Sequence, residues 1–326
     1  MLIQGFEITE PAFVSAFELL AQLLKTNTKS LMKAARDRTE YKTVLISKGH
    51  GKGERRLDIP PFSLRAAQKM LLRNCLCHIG PWSFQDWAVL TGFKLGKSIR
   101  HNVEPHIHSK AFFQLDLADA FPSVTAEMLR EAMETLFEET AVKRMFGFKD
   151  VRGFRKEFIQ ERKGLGGYRP NGEPGPMDIL WALREIIIWI TTFKSVLPQG
   201  APTSPHMFNL VVVAQQTPTI IQQALLPFQG SHPFIVTFYA DNVTAATHDE
   251  TIPEEARRKV IEAVELETPF RINPRKTRYT ELRHGSPSVT GLSFGENGLT
   301  VPQRTQKKAR GLMHSATLRL DPELRS

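Results

Sequence analysis

Two aspartates stand where a chain presents metal ligands. Asp116 lies near the end of AFFQLDL (111–117), a run with the apolar and aromatic content of a buried strand, and Asp241 lies in FYADN (238–242), between two runs of strand character. A carboxylate at a strand end or hairpin tip is a hard oxygen ligand. Pairs of them hold divalent cations for two-metal chemistry, in which ions roughly 4 Å apart activate one oxygen and neutralise another. Taken alone, an aspartate at such a place is more often a turn or helix-capping residue, so the surrounding elements must decide.

The elements that would position this pair can be read from periodicity. Phe13, Phe17, Leu20 and Leu24 recur at helical spacing behind Thr9 as cap and Pro11 in the first turn. A basic strand pair is expected around Tyr41 to Arg56, and after the Pro60-Pro61 break a helix from Ser63 to Leu76. After 111–117, Thr125 should cap a helix with Leu129, Met133, Leu136 and Phe137 on one face. KGLGGYRPNGEPGP (163–176) has too many glycines and prolines for a regular element, and with no strand before it, it is not a phosphate-binding fingerprint. Helix returns over Asp178 to Phe193. Phe234 to Thr247 reads as strand, turn, strand, with Phe234, Val236 and Phe238 on one face and Asp241-Asn242 as the turn.

Composition narrows the class. A chain of 326 residues with 41% hydrophobic content can bury its own core, and no run of eighteen apolar residues suggests a membrane span. Its start reads as a folded helix, not a signal peptide. Cys75 and Cys77 are too few and too close for a disulfide framework, so a reducing cytoplasm is the expected location. With His78, or with His101, His106 and His108, they lack the spacing of a tetrahedral zinc site. The net charge of +9 is concentrated in two stretches. Residues 25–56 carry ten Lys/Arg against three acids, and residues 271–310 nine against two. Basic flanks around an acidic middle suit a polyanion held at the edges of a cation site.

Five strings then change the weight of the two aspartates. LDLADAFPSVT (115–125), LPQGAPTSPHMFN (197–209), FYADN (238–242), INPRKT (272–277) and VTGL (289–292) resemble, in order and spacing, the blocks of reverse transcriptases, over about residues 48 to 314. NVEPH (102–106) before the first acidic strand is similar to the NAxxH element of bacterial retron reverse transcriptases, and VTG (289–291) matches a second retron element. Val103 departs from the usual alanine.

This resemblance implies an α+β right-hand polymerase with fingers and palm, an antiparallel palm sheet flanked by helices, and a short helical thumb. The expected parts are fingers and N-terminal helices over 1–109, a palm over 110–295 with a loop and helix insertion at about 141–196, and a basic thumb element over 296–326. Asp116 and Asp241, helped by the Leu117 carbonyl, would bind two Mg2+ ions, with Mn2+ able to substitute. Phe121 would exclude a 2′ hydroxyl from the incoming nucleotide. Arg55, with Lys48 and Lys52 in support, would grip its triphosphate, and Gln199 and Gly200 would line the nucleotide and template pocket. Lys276 would assist pyrophosphate departure. RNA contacts are expected at Asn102 and His106 and along the basic helix bearing Arg304, Lys307, Lys308 and Arg310.

The implied activity is RNA-directed DNA polymerisation from deoxynucleotides on an RNA template and primer. The family supplies a dedicated noncoding RNA, an effector protein and a link to antiphage defence. Two alternatives are a template-independent defence polymerase and a weakened RNA-binding scaffold. Asn242 replaces the usual second acid of the hairpin, and only 34 residues follow VTGL, short for a thumb; both favour the scaffold. Retention of two mutually repelling acids favours an enzyme.

Overall fold

The computed structural model describes residues 2–3, 6–7, 10–47, 53–78, 85–137, 176–295, 298–301 and 303–320. The expected cap Thr9, the support lysines Lys48 and Lys52, and the glycine-rich loop up to residue 175 lie outside them, as does most of the expected insertion.

Helix α1 (Glu10–Leu24) carries Pro11 in its first turn and buries Phe13, Phe17, Leu20 and Leu24. Burying each such side chain contributes about 1.5–3 kcal/mol. Helix α2 (Thr28–Arg36) is capped by Asn27, whose Oδ1 accepts from the Ser30 amide at 2.8 Å. Strands β1 (Lys42–Ser47) and β2 (Glu54–Ile59) form an antiparallel hairpin in register Lys42↔Ile59 to Ser47↔Glu54. Its exposed residues include the charged Lys42, Glu54, Arg55 and Arg56 and the apolar Leu45 and Ile46, and its base is anchored by Tyr41 stacked on Phe193 at 4.4 Å. Helix α3 (Phe62–Asn74) buries Leu64, Ala67, Gln68 and Leu71, and the Gln68 amide donates to the Ile190 carbonyl at 2.8 Å.

The main sheet is antiparallel. Strand β3 (Ala111–Asp116) is followed by α4 (Ala126–Phe137), α5 (Pro176–Thr191), α6 (Ser204–Ala214), α7 (Thr217–Leu225), β4 (Ile235–Tyr239), β5 (Asn242–Thr247), α8 (Glu254–Glu267) and β6 (Arg278–Glu281). The sheet order is β4-β5-β3-β6, which places β3 inside and β4 at an edge. Thr125 does cap α4, its Oγ1 accepting from the Met128 amide at 3.2 Å, and Leu129 and Met133 are buried. The side chains of Leu136 and Phe137 lie outside the described residues.

Helix α6 is apolar nearly all round because it is buried nearly all round. It belongs to one contiguous core that runs from α1 through α5 to Ile272. Between α4 and α5, Arg130 Nε donates to Glu185 Oε2 at 2.9 Å, an ion pair with both partners buried. Such a pair has to be kept whole, because losing one partner strands a charge in the interior.

The opposite face of the sheet carries a smaller core of Val103, Phe112, Ala246, Val289 and Phe294. It is roofed by a second antiparallel sheet, β7 (Ser288–Val289), β8 (Leu292–Gly295) and β9 (Gly298–Thr300). The chain closes with α9 (Gln303–Leu320). Among the described residues, no helix is long and apolar enough to cross a membrane.

Candidate active site

Asp116 and Asp241 meet because of strand register. β3 pairs with β5 from Ala111↔Thr247 to Asp116↔Asn242, so the residue before β5 comes level with the end of β3. The Leu117 amide donates to the Asp241 carbonyl at 2.8 Å, tying the two acid-bearing backbones together, and the Asn273 amide donates to the Asp116 carbonyl at 2.8 Å. The turn between β4 and β5 differs from the sequence expectation by one residue. Tyr239 pairs with Asn242, leaving Ala240-Asp241 as the turn and making Asn242 the first residue of β5. Ala240 has φ +55°, the left-handed conformation that this tight connection needs at its first position.

Both acids border a cleft of about 550 Å³ whose lining includes Arg55, Asp58, Leu117, Asp119, Phe121, Gln199, Asn273 and Lys276. Lys276 Nζ lies 2.7 and 2.9 Å from the two carboxylate oxygens of Asp116. The Asp241 carboxyl is pushed above the ordinary range, first by burial and next by the Asp116 charge. Its own backbone amide, Lys276 and Arg55 pull the other way. The side-chain amide of Asn242, which stands where the resemblance to reverse transcriptases expects a second acid, donates to Asp241 Oδ1 at 3.0 Å.

Phe121 reaches the cleft through a sharp reversal. Asp119 takes φ +45° and a short helix, Ala120–Ser123, carries the Phe121 ring to 5.8 Å from Phe208 in an edge contact. Gln199 also lines the cleft, and its carbonyl accepts from the Asp58 amide at 2.8 Å, docking the β1–β2 hairpin that bears Arg55. Gly200 was expected to line the nucleotide and template pocket. The backbone of β2 approaches it: with φ +130°, a Cβ here would lie 3.1 Å from the Asp58 carbonyl oxygen.

Two further expectations are corrected. Asn102 and His106 were expected to touch RNA, but they are 1% and 0% exposed. Asn102 Oδ1 accepts from Thr91 Oγ1 at 2.8 Å, and His106 Nε2 lies 2.7 Å from Thr237 Oγ1, so both side chains are spent inside the protein. Burial also pushes the His106 imidazole down to about 4, which keeps it neutral. Lys307, Lys308 and Arg310 are exposed on α9; the Arg304 side chain lies outside the described residues.

Sequence reading did not single out Asp58, Asp119 or Asn273 for the cleft. Asn273 was legible only as part of INPRKT, and Asp58 only as a neighbour of Arg55. Beyond Asp116 lies a smaller cleft of about 300 Å³, lined by Gln114, Asn242, Thr244, Lys276, Arg278 and the turn through Thr290 and Gly291. That turn has φ +47° and +87° at its two central residues, which explains the glycine of VTG.

No family model matches the chain. Among curated proteins it is 25% identical over 267 residues to the retron Ec86 reverse transcriptase of Escherichia coli, covering 82% of this chain and 67% of the relative. It is 27% identical over 283 residues to the retron Mx65 reverse transcriptase of Myxococcus xanthus, covering 87% and 57%. To the retron Mx162 reverse transcriptase of the same organism it is 26% identical over 302 residues, covering 85% and 53%. The chain thus spans between half and two thirds of the length of these relatives. Solved structures include telomerase from Candida albicans, with TM-score 0.43 and 11% identity over 78% of this chain and 45% of that one. Apo telomerase from Candida tropicalis gives TM-score 0.41 and 10% identity over 78% and 53%. Over most of its length the chain is thus similar to bacterial retron reverse transcriptases.

Proposed function

We propose that this protein is an RNA-directed DNA polymerase that adds deoxynucleotides to a primer on an RNA template. The observation that supports it most is the convergence of Asp116 and Asp241, from adjacent strands, on one cleft that also presents Arg55, Phe121, Gln199 and Lys276. The donor set fits hard divalent cations: two carboxylates and, beside them, the Leu117 carbonyl. Bound there, Mg2+ or Mn2+ would activate the attacking 3′ hydroxyl and neutralise the leaving pyrophosphate.

The chain's own groups do the rest. Arg55, carried on a hairpin docked through Gln199, pairs with the triphosphate as a fixed cation. Phe121, backed by Phe208, closes the space beside the sugar and selects deoxynucleotides. Lys276, which neutralises Asp116 here, lines the same cleft and would assist the leaving pyrophosphate as a cation or a proton donor. The smaller cleft past Asp116, with Arg278 and the Thr290-Gly291 turn, takes the growing end of the primer. Exposed Lys307, Lys308 and Arg310 on α9 hold phosphates of the duplex.

In this reading α1 to α3 and the β1–β2 hairpin are the fingers and the four-stranded sheet is the palm. The segment from Leu90 to His106 goes with the palm, since Leu90 forms a parallel bridge to Phe238, although sequence placed it with the fingers. The thumb element begins after Val301, because β9 pairs with β8 and a boundary at 295 would cut that hairpin.

The test is extension of a DNA or RNA primer on an RNA template with dNTPs and Mg2+ or Mn2+. Metal-dependent extension, lost in Asp116→Ala and in Asp241→Ala, is the expected result. A protein that binds RNA tightly yet extends nothing with either metal would refute the reading in favour of a scaffold.

A further inference from the structure

Strand β4, which leads into the Asp241 turn, is an edge strand with β5 on one side only. An edge strand has a free row of amides and carbonyls and less to hold it in place than an inner one. Here the free side is covered by Leu90 and Thr91. The Thr91 amide donates to the Phe238 carbonyl at 2.9 Å, and Thr91 Oγ1 lies 3.0 Å from that carbonyl and 2.8 Å from Asn102 Oδ1.

One residue back along β4, Thr237 Oγ1 lies 2.7 Å from His106 Nε2 and 3.5 Å from the Asn102 carbonyl. When Thr237 gives its single proton to that carbonyl, His106 must donate from Nε2. Nδ1 is then the bare nitrogen, and it is the one that has no partner among the described residues. Thr91, Asn102, His106 and Thr237 are all 5% exposed or less.

The tip of the hairpin is wedged by a second contact. A Cβ at Gly92 would lie 2.5 Å from the Ala240 amide nitrogen, so backbone meets backbone one residue before Asp241. Asn209 Nδ2 holds Gly92 there by donating to its carbonyl at 2.8 Å.

We propose that this buried polar brace, from His106 through Thr237, Asn102 and Thr91 to the Phe238 carbonyl, fixes the place of Asp241 opposite Asp116. Thr91 and Asn102 are then positioning residues of the metal site. The proposal deepens the polymerase reading, since it rests on Asp116 and Asp241 sharing a cation. It assigns Asn102 and His106 of NVEPH to the catalytic hairpin instead of to RNA.

Thr91→Val keeps the shape and removes the hydroxyl, whereas Thr91→Ser keeps the hydroxyl. Mn2+ affinity of the RNA-free chain, read by electron paramagnetic resonance, and the Mg2+ concentration for half-maximal primer extension measure the site without and with turnover. Thr91→Val should weaken Mn2+ binding and raise the Mg2+ requirement about tenfold, the usual scale for a lost outer support of a metal ligand, with RNA affinity unchanged. Thr91→Ser should stay near wild type. Should Thr91→Val melt markedly lower, Asn209→Ser, which loses the bond to Gly92, is read by the same two measures and should again weaken Mn2+ binding. Wild-type Mn2+ affinity in a folded Thr91→Val or Asn209→Ser overturns the brace, as does Thr91→Ser failing as badly as Thr91→Val. A wild-type chain that binds Mn2+ but extends no primer sinks the polymerase reading and leaves the brace standing.

Discussion

Asp116 stands at the end of β3, which is hydrogen-bonded on both sides, by β5 and by β6, and Lys276 neutralises it. Asp241 stands in a two-residue turn that ends an edge strand, and what it meets first is burial and the charge of Asp116. One acid is placed by the sheet itself. The other has further contacts around it: Thr91 and Gly92 behind its hairpin, and the Leu117 amide and the Asn242 side chain beside it. The two acids are therefore unequal in support, and changes on the two sides should differ in kind.

Removing either carboxylate is the largest perturbation. Asp116→Ala and Asp241→Ala should each slow primer extension more than about a thousandfold, because several kcal/mol of charge stabilisation are lost with the cation. Stability separates the two. In the absence of metal, the raised Asp241 carboxyl binds protons more readily folded than unfolded, so its contribution lowers stability as pH rises from the ordinary carboxylate value through the raised one. Asp241→Asn should therefore raise the melting temperature at pH 7, and the gain should shrink as pH falls toward the ordinary carboxylate range. Asp116→Asn should bring no gain, since it gives up the charge facing Lys276 and one of the two acceptors that Nζ meets at 2.7 and 2.9 Å. Thermal melts of the metal-free variants across pH decide it, and a higher melting temperature for Asp116→Asn than for Asp241→Asn would reverse the comparison.

How much of this was legible follows from where each signal lies along the chain. Strand β3 was readable because its apolar run is local, and the α4 cap because Thr125 and Met128 are neighbours. The turn was misplaced by one residue because Asp-Asn is a turn-forming pair, whereas Asn242 is held in the ladder by Tyr239 on one side and Asp116 on the other. Asn102 and His106 were misread for a related reason. A polar residue destined for the interior looks like a surface one until its partner is known, and Thr237 is 131 residues from His106. Gly200 likewise showed a need for close approach without showing that β2 is what approaches.

An intermediate effect is expected on the well-supported side. Phe121 follows Asp116 through the reversal at Asp119, and its ring is held by Phe208. Phe121→Ala should leave dNTP incorporation largely intact and raise ribonucleotide incorporation by about one to two orders of magnitude, the scale on which a pocket rejects one hydroxyl. Competition between dNTPs and rNTPs on one template measures it. Unchanged discrimination in a folded, active variant would place the sugar gate elsewhere.

The smallest effect concerns Asn242, on the weakly supported side. A carboxylate at this position could serve as a further ligand, and on that argument Asn242→Asp would lower the metal concentration needed for half-maximal activity. The geometry argues the other way. The Asn242 amide donates to Asp241 Oδ1 at 3.0 Å, so it already compensates a carboxyl whose charge burial and Asp116 oppose. Replacing that donor with a third acid removes the hydrogen bond and adds repulsion, and it should push the Asp241 carboxyl higher still. Asn242→Asp is expected to leave the Mg2+ requirement equal or raise it a few-fold, and to lower the melting temperature of the metal-free chain at pH 7. The melting-temperature shift should fade in Asp241→Asn/Asn242→Asp, where the repelling neighbour is gone. An Asn242→Asp chain that works at lower Mg2+ than wild type would show the amide to be a tolerated loss, not part of a rebuilt site.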